Sequence, residues 1–241
     1  MIRRLAAAVR TDVVLQARNQ LYGISVGVAV VVGGALAWLS PHDRLAGTVP
    51  MALLMFVGGS TLLYAMAMLI LERDDGTLDA VIVSPLRPAE YLLSKVITLS
   101  GLAALEALLI VVGALGVLSR SGAVPVPGPL IVLGVVLLAV MHVLCGLALV
   151  VRYRRLMEAL IPMSALATLM QLPGFYFVGA LAHPAWLLIP TAAPTMFIRG
   201  AFTELAPWEW VYAVLVSGGT LLALWIFARR AFRRHVIEGG R

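Results

Sequence analysis

The sequence predicts an all-α integral membrane protein. Its expected parts are six transmembrane helices, an amphipathic N-terminal helix, a short helix between spans 2 and 3, and a broken element before span 6. Three observations predict this. Apolar residues make up 61% of the 241 residues and Asp, Glu, Lys and Arg only 12%, with a mean hydropathy of +0.99. Soluble domains usually carry about 25% charge and roughly 45–50% apolar residues, so a single large soluble domain fits poorly. The chain also holds six apolar runs near the ~20 residues that a helix needs to cross hydrocarbon, where every backbone polar group must be paired internally. Finally, the basic residues are divided unevenly between the two sides that six crossings would create.

The N-terminal arm, residues 1–19, carries Arg3, Arg4, Arg10 and Arg18. Its apolar stretch is interrupted by Arg10, Asp12 and Arg18, so it is expected to be retained at the membrane surface rather than cleaved as a signal peptide. Spans follow at about 21–40, 49–71, 93–118 and 130–151. A fifth covers about 157–180, within a stretch from Ala159 to Ile198 that holds no Asp, Glu, Lys or Arg but is punctuated by Pro162, Pro173, Pro184, Pro190 and Pro194. Proline breaks the i to i−4 ladder, so a separate element is expected at about 190–204. It either dips back into the outer leaflet or forms a plain external loop with one amphipathic helix. Span 6 covers about 210–228. Trp186, Trp208 and Trp210 suit an outer aromatic belt, with Trp225 towards the inner face.

With these spans, fifteen of the eighteen Lys and Arg residues lie on the side of both termini, and only Arg44, Arg120 and Arg199 lie on the other. The positive-inside rule then puts both termini in the cytoplasm. The net charge of +6 sits beside apolar runs, where phospholipid headgroups lie. No basic and aromatic groove pattern suggests nucleic acid. The Ala, Arg and Gly content fits a GC-rich bacterium, and the membrane is then its inner (cell) membrane.

The densest charge lies between spans 2 and 3, in LERDDGTLDAVIVSPLRPAEYLLSK, Leu71 to Lys95. Asp74, Asp75 and Gly76 suggest a bend. Leu78, Val81 and Ile82 have helical spacing, Thr77 can cap, and Pro85 and Pro88 end the segment and open the next helix. A two-turn surface helix is expected, its acidic flank in water. From composition alone it either covers the end of the bundle or transmits force from a soluble partner.

This pattern resembles the signature of permeases of the ABC-2 type. The matching positions are Glu72, Gly76, Thr77, Leu78, Asp79, Ser84, Pro85 and Lys95, with Asp79 where that family more usually has Glu. The resemblance covers the whole length. It implies that these residues form a coupling helix fitting a cleft on a separate ATP-hydrolysing subunit, that the N-terminal arm also touches that subunit, and that two permease chains, identical or not, and two ATPases make one exporter. The chain carries no G-x-x-x-x-G-K-[ST] loop to hold phosphates. ATP and Mg are therefore expected on the partner, with no cofactor, metal or enzymatic chemistry in this chain. The implied cargo is hydrophobic or amphipathic, such as a drug, antibiotic or lipid.

A few polar residues fall inside spans. Glu106 is the one mid-span acid, and a lone carboxylate in lipid costs at least about 2.5 kcal/mol. It must face protein or a cavity, as a cargo contact, a latch or a packed carboxyl. His142 lies three residues before Cys145, the only cysteine, so no intrachain disulfide exists. Two ligands are too few for a closed metal site, and His142 is expected as a polar packing group. Tyr64 with Met51, Met55, Met66 and Met68 either lines a soft cargo path or fills space. A secondary carrier would need internal repeats and paired mid-membrane polar groups, and neither is seen. A non-transporting scaffold or assembly protein is the other alternative.

Overall fold

The computed structural model describes residues 2–40, 44–77, 87–119, 128–153, 155–181 and 183–237. Its elements, in order, are α1 (Ile2–Arg18), α2 (Leu21–Leu39), α3 (Leu45–Asp74), α4 (Pro88–Leu118), α5 (Pro129–Val150), α6 (Leu156–Gln171), the single turn α7 (Gly174–Phe177), a 3₁₀ turn (Pro184–Leu188), α8 (Ala192–Gly200) and α9 (Pro207–Phe232). Six of these segments are long and apolar enough to cross a membrane: α2, α3, α4, α5, α6 with α7, and α9. The protein is an all-α, multi-pass membrane protein.

The spans depart from the sequence reading where proline or glycine acts. Span 2 begins at Leu45, four residues before the expected start, because Pro50 is carried inside the helix. Proline supplies no N–H and crowds the preceding turn, and the backbone answers with a wider π-turn at Leu53–Val57 before resuming as an α-helix at Gly58. Span 3 begins at Pro88, whose fixed φ suits a first helical position. Span 5 does not run to residue 180. Its main helix stops at Gln171, one turn continues through Phe177, and the chain reverses at Gly179 with φ of 73°.

α4 and α5 form the axis. α2 and α1 pack along α4, while α3, α8 and α9 pack on α5. Gly33 permits the α2–α4 approach, since a Cβ there would lie 3.1 Å from the Ile110 carbonyl oxygen. The outer helices leave broad apolar faces open: Trp38 and Val31 on α2, Ile161 on α6, Leu215 and Leu222 on α9. In a membrane protein such faces meet lipid or another chain.

The element expected at 190–204 is α8, and every residue from Ala192 to Ile198 is buried. Thr191 Oγ1 donates to the Met170 carbonyl at 2.6 Å, tying α8 to the end of α6. α8 presses on α5 at Gly134, five residues into that helix, or roughly 8 Å at 1.5 Å per residue. Protein therefore covers α8; it is not an unpacked loop. A Cβ on Gly134 would lie 2.7 Å from Ile198 Cγ1 and 2.8 Å from the Pro194 carbonyl oxygen. Gly134→Ala is expected to cost about 1–3 kcal/mol by overpacking. Gly101→Ala, where a Cβ meets nothing within 4 Å, should leave the thermal midpoint unchanged. Equal midpoints for the two variants would contradict this packing.

Candidate functional site

At the end of the bundle that carries the termini, one lysine joins three elements. Lys95 lies two turns into α4 and is 1% exposed. Its Nζ is bonded to the carboxylate of Glu72, in the last turn of α3, and to the carboxylate of Asp12 on α1. The remaining acceptors are supplied with donors. Tyr91 Oη donates to Glu72 Oε2 at 2.5 Å, and Ser94 Oγ donates to Asp12 Oδ2 at 2.8 Å. The Tyr91 ring stacks on Phe232 with centroids 5.0 Å apart, adding the end of α9. A buried ion pair recovers its desolvation cost only with close geometry and further hydrogen bonds, and both are present.

The same region closes the neighbouring helix ends. Arg73 donates to the carbonyls of Tyr153 and Val151, the second at 3.0 Å, satisfying acceptors that α5 leaves open. Glu90 Oε2 accepts the Arg87 N–H at 2.9 Å, opening α4, and Arg4 from α1 reaches the same carboxylate at 3.5 Å. Gly76 turns the chain out of α3 with φ of 68°, a conformation that side chains oppose. Thr77 Oγ1 donates back to the Glu72 carbonyl at 3.1 Å. The connection between α3 and α4 thus leaves and re-enters the bundle at one buried cluster.

Of the residues expected to couple, Glu72, Gly76, Thr77 and Lys95 are described. Leu78, Asp79, Ser84 and Pro85 lie outside the described residues, as does most of the expected loop helix. Asp74 and Asp75 are exposed, as an acidic flank in water requires. Glu72 departs from that expectation: it is 6% exposed and turned inward on Lys95. Glu72 and Lys95 are thus bonded to each other where the chain leaves α3 and where it has entered α4. Asp12 was not singled out from the sequence. Its signal was available, since it is the one acid in an arm with four arginines.

A second polar group crosses spans 1, 2 and 3. Ser25 Oγ donates to Tyr64 Oη at 2.9 Å, Tyr64 Oη donates to Glu106 Oε2 at 3.0 Å, and Ser60 Oγ donates to Glu106 Oε1 at 2.8 Å. Glu106 is fully buried and Tyr64 nearly so, so the packed carboxyl between helices describes this arrangement best. His142 is not bonded to this group. Its Nδ1 lies 2.8 Å from the Leu138 carbonyl, so Nδ1 carries the proton, and Nε2 rests against Gly58 without a hydrogen-bond partner. Among the described residues no group of three or more His, Cys, Asp and Glu is placed to hold a metal ion. Glu106→Leu is expected to leave the Tyr64 hydroxyl without its acceptor, while Ser60 still reaches the Val57 carbonyl at 3.1 Å, and to cost about 1–3 kcal/mol. Glu106→Gln keeps an acceptor and should lose less, so the order of the two thermal midpoints checks the arrangement.

Residues 3–240 match the model of the fluoroquinolones export permease protein family. Two relatives from Mycobacterium tuberculosis, one from strain CDC 1551 / Oshkosh and one from strain ATCC 25618 / H37Rv, are each described as a fluoroquinolones export permease protein. Each is 26% identical over 248 residues, covering 98% of this chain and 97% of the relative.

Proposed function

The chain belongs to the fluoroquinolones export permease protein family, and from that premise we propose that it is the membrane subunit of an ATP-driven, ABC-2 type drug exporter. Its cargo is an amphipathic aromatic drug of the kind named for its relatives. ATP and Mg are bound by a separate ATPase subunit, and two permease chains complete the path. Both termini and the 75–87 connection face the cytoplasm of a bacterial inner membrane, in keeping with the fifteen-to-three division of basic residues.

The observation that carries this reading is the buried cluster of Asp12, Glu72 and Lys95. A soluble motor must move helices by pushing on a connection between them. If that connection were tethered loosely, its motion would be absorbed locally. Here its two ends and the N-terminal arm are bonded to one lysine, so displacement of the connection moves α1, α3 and α4 together. The Ser25–Tyr64–Glu106–Ser60 group ties α3 and α4 a second time within the spans, with α2 in place of α1. Motion enters α3 at its cytoplasmic end, and the π-turn at Leu53–Val57 lies beyond the second tie, where the helix has least regular bonding and bends most readily. Co-purification of the chain with its ATPase, and drug-stimulated ATP turnover of the pair, test the assignment. Failure of any ATPase to associate removes it.

A further inference from the structure

The basic residues of the far end, opposite the termini, are few, yet two of them share one cavity. Arg44 precedes α3, and Arg199 sits near the end of α8. With Tyr176 and Phe177 they line a cavity of about 630 Å³. This volume is within the range that holds drug-sized ligands. The walls are built by backbone features that admit little substitution. A Cβ on Gly47 would lie 2.5 Å from the Phe177 carbonyl oxygen, so only glycine lets the start of α3 meet the end of span 5. Gly179, at positive φ, turns the chain away just after Tyr176 and Phe177, which line the cavity.

The two guanidiniums differ. Arg199 Nη1 donates to Glu209 Oε1 at 2.9 Å, and Glu209 also accepts the Ala206 N–H at 2.8 Å, so Arg199 is held in place and its charge partly balanced. Arg44 is exposed and has no ion pair among the described residues. The cavity is thus lined by one guanidinium without an ion pair among the described residues, a second fixed guanidinium, and the aromatic residues Tyr176 and Phe177. Guanidinium groups pair with carboxylate and phosphate oxygens, and the rings supply apolar contact. We propose that this cavity binds the anionic head of an amphipathic molecule, with its ring or chain against Tyr176 and Phe177. Two sources share that chemistry: the carboxylate of an aromatic cargo on its way out, and the phosphate of a lipid headgroup. The first source rests on the export function proposed above; the second does not.

The test measures binding to the full chain in phosphatidylcholine nanodiscs, without ATP turnover. The probes are a fluoroquinolone carboxylic acid and its methyl ester, followed by quinolone fluorescence. Arg44→Gln is the principal variant, because Arg44 is exposed and its replacement removes no ion pair seen among the described residues; Tyr176→Leu is the second. The expected result is at least tenfold weaker binding of the acid to Arg44→Gln, a smaller loss in Arg44→Lys, and weak binding of the ester to all forms. In a parallel arm, retention of phosphatidylglycerol by the parent chain but not by Arg44→Gln, with no drug bound by either, supports the site with a headgroup as occupant and counts against the proposed cargo. Equal binding of the acid to parent and Arg44→Gln, or an ester as tight as the acid, overturns the anion site while leaving export standing. Binding of neither drug nor anionic lipid by the parent overturns it as well.

Discussion

Lys95→Met lowers the thermal midpoint of the purified chain by about 10 °C. The substitution nearly preserves volume, so packing around α4 changes little and the effect isolates charge. It leaves the carboxylates of Asp12 and Glu72 facing each other in a buried site with the Tyr91 and Ser94 hydroxyls as their remaining partners. Removing one member of a buried ion pair costs about 3–5 kcal/mol, because the other charge stays desolvated. In a chain of this length each kcal/mol moves the midpoint by roughly 2–4 °C. The triple variant Asp12→Asn, Glu72→Gln, Lys95→Met tests the cause, since neutral groups of similar shape remove the stranded charge and should recover most of the loss. A midpoint for Lys95→Met within about 2 °C of the parent would mean that the cluster carries no strain when its cation is lost, and the rigid tie between arm and connection would fall with it.

The crossings were legible because lipid imposes a local rule. Each span must satisfy its own backbone, so each announces itself as a long apolar run, and α2, α4 and α5 lie within a few residues of their expected limits except at the Pro88 start. Misplaced ends have local causes. Span 2 starts before its expected limit, with Pro50 carried inside the helix ahead of the π-turn at Leu53–Val57, and Gly179 ended the fifth span before its apolar run was exhausted. The sites were legible only in part. Glu72 and Lys95 stood out within one charged stretch, but their mutual bond does not follow from spacing, and Asp12 reaches Lys95 from 83 residues away. Ser25 and Ser60 are unremarkable hydroxyls in apolar runs until the fold sets them beside Tyr64 and Glu106. The far-end cavity was illegible for the same reason: Arg44 and Arg199 come from opposite parts of the chain, and only the packing of α3, α7 and α8 brings them together.

The inward turn of Glu72 decides which residues can report coupling to the proposed ATPase. Reversing Glu72 to Arg places a second cation against Lys95 in a buried site, and any loss of partner binding would then follow from misfolding. Asp74 and Asp75 are exposed at the start of the connection, and Asp79, beyond the described residues, is the acid of the family-like motif. Replacing Asp74 and Asp75 by Arg leaves the buried cluster intact, so the thermal midpoint of the isolated permease should change little, as exposed charges are each worth at most about 1 kcal/mol to folding. At an interface the same reversal is costly. Like charges set against one another across a contact cost several kcal/mol, enough to weaken association about a hundredfold or more. The expected outcome is a folded permease that no longer co-purifies with its ATPase and no longer raises ATP turnover in response to drug. An unchanged midpoint together with full association and full stimulation would show that the acidic connection does not meet the motor. Coupling would then have to enter through the arm alone, where Arg4 and Asp12 already bridge α1 to α4 and its neighbours.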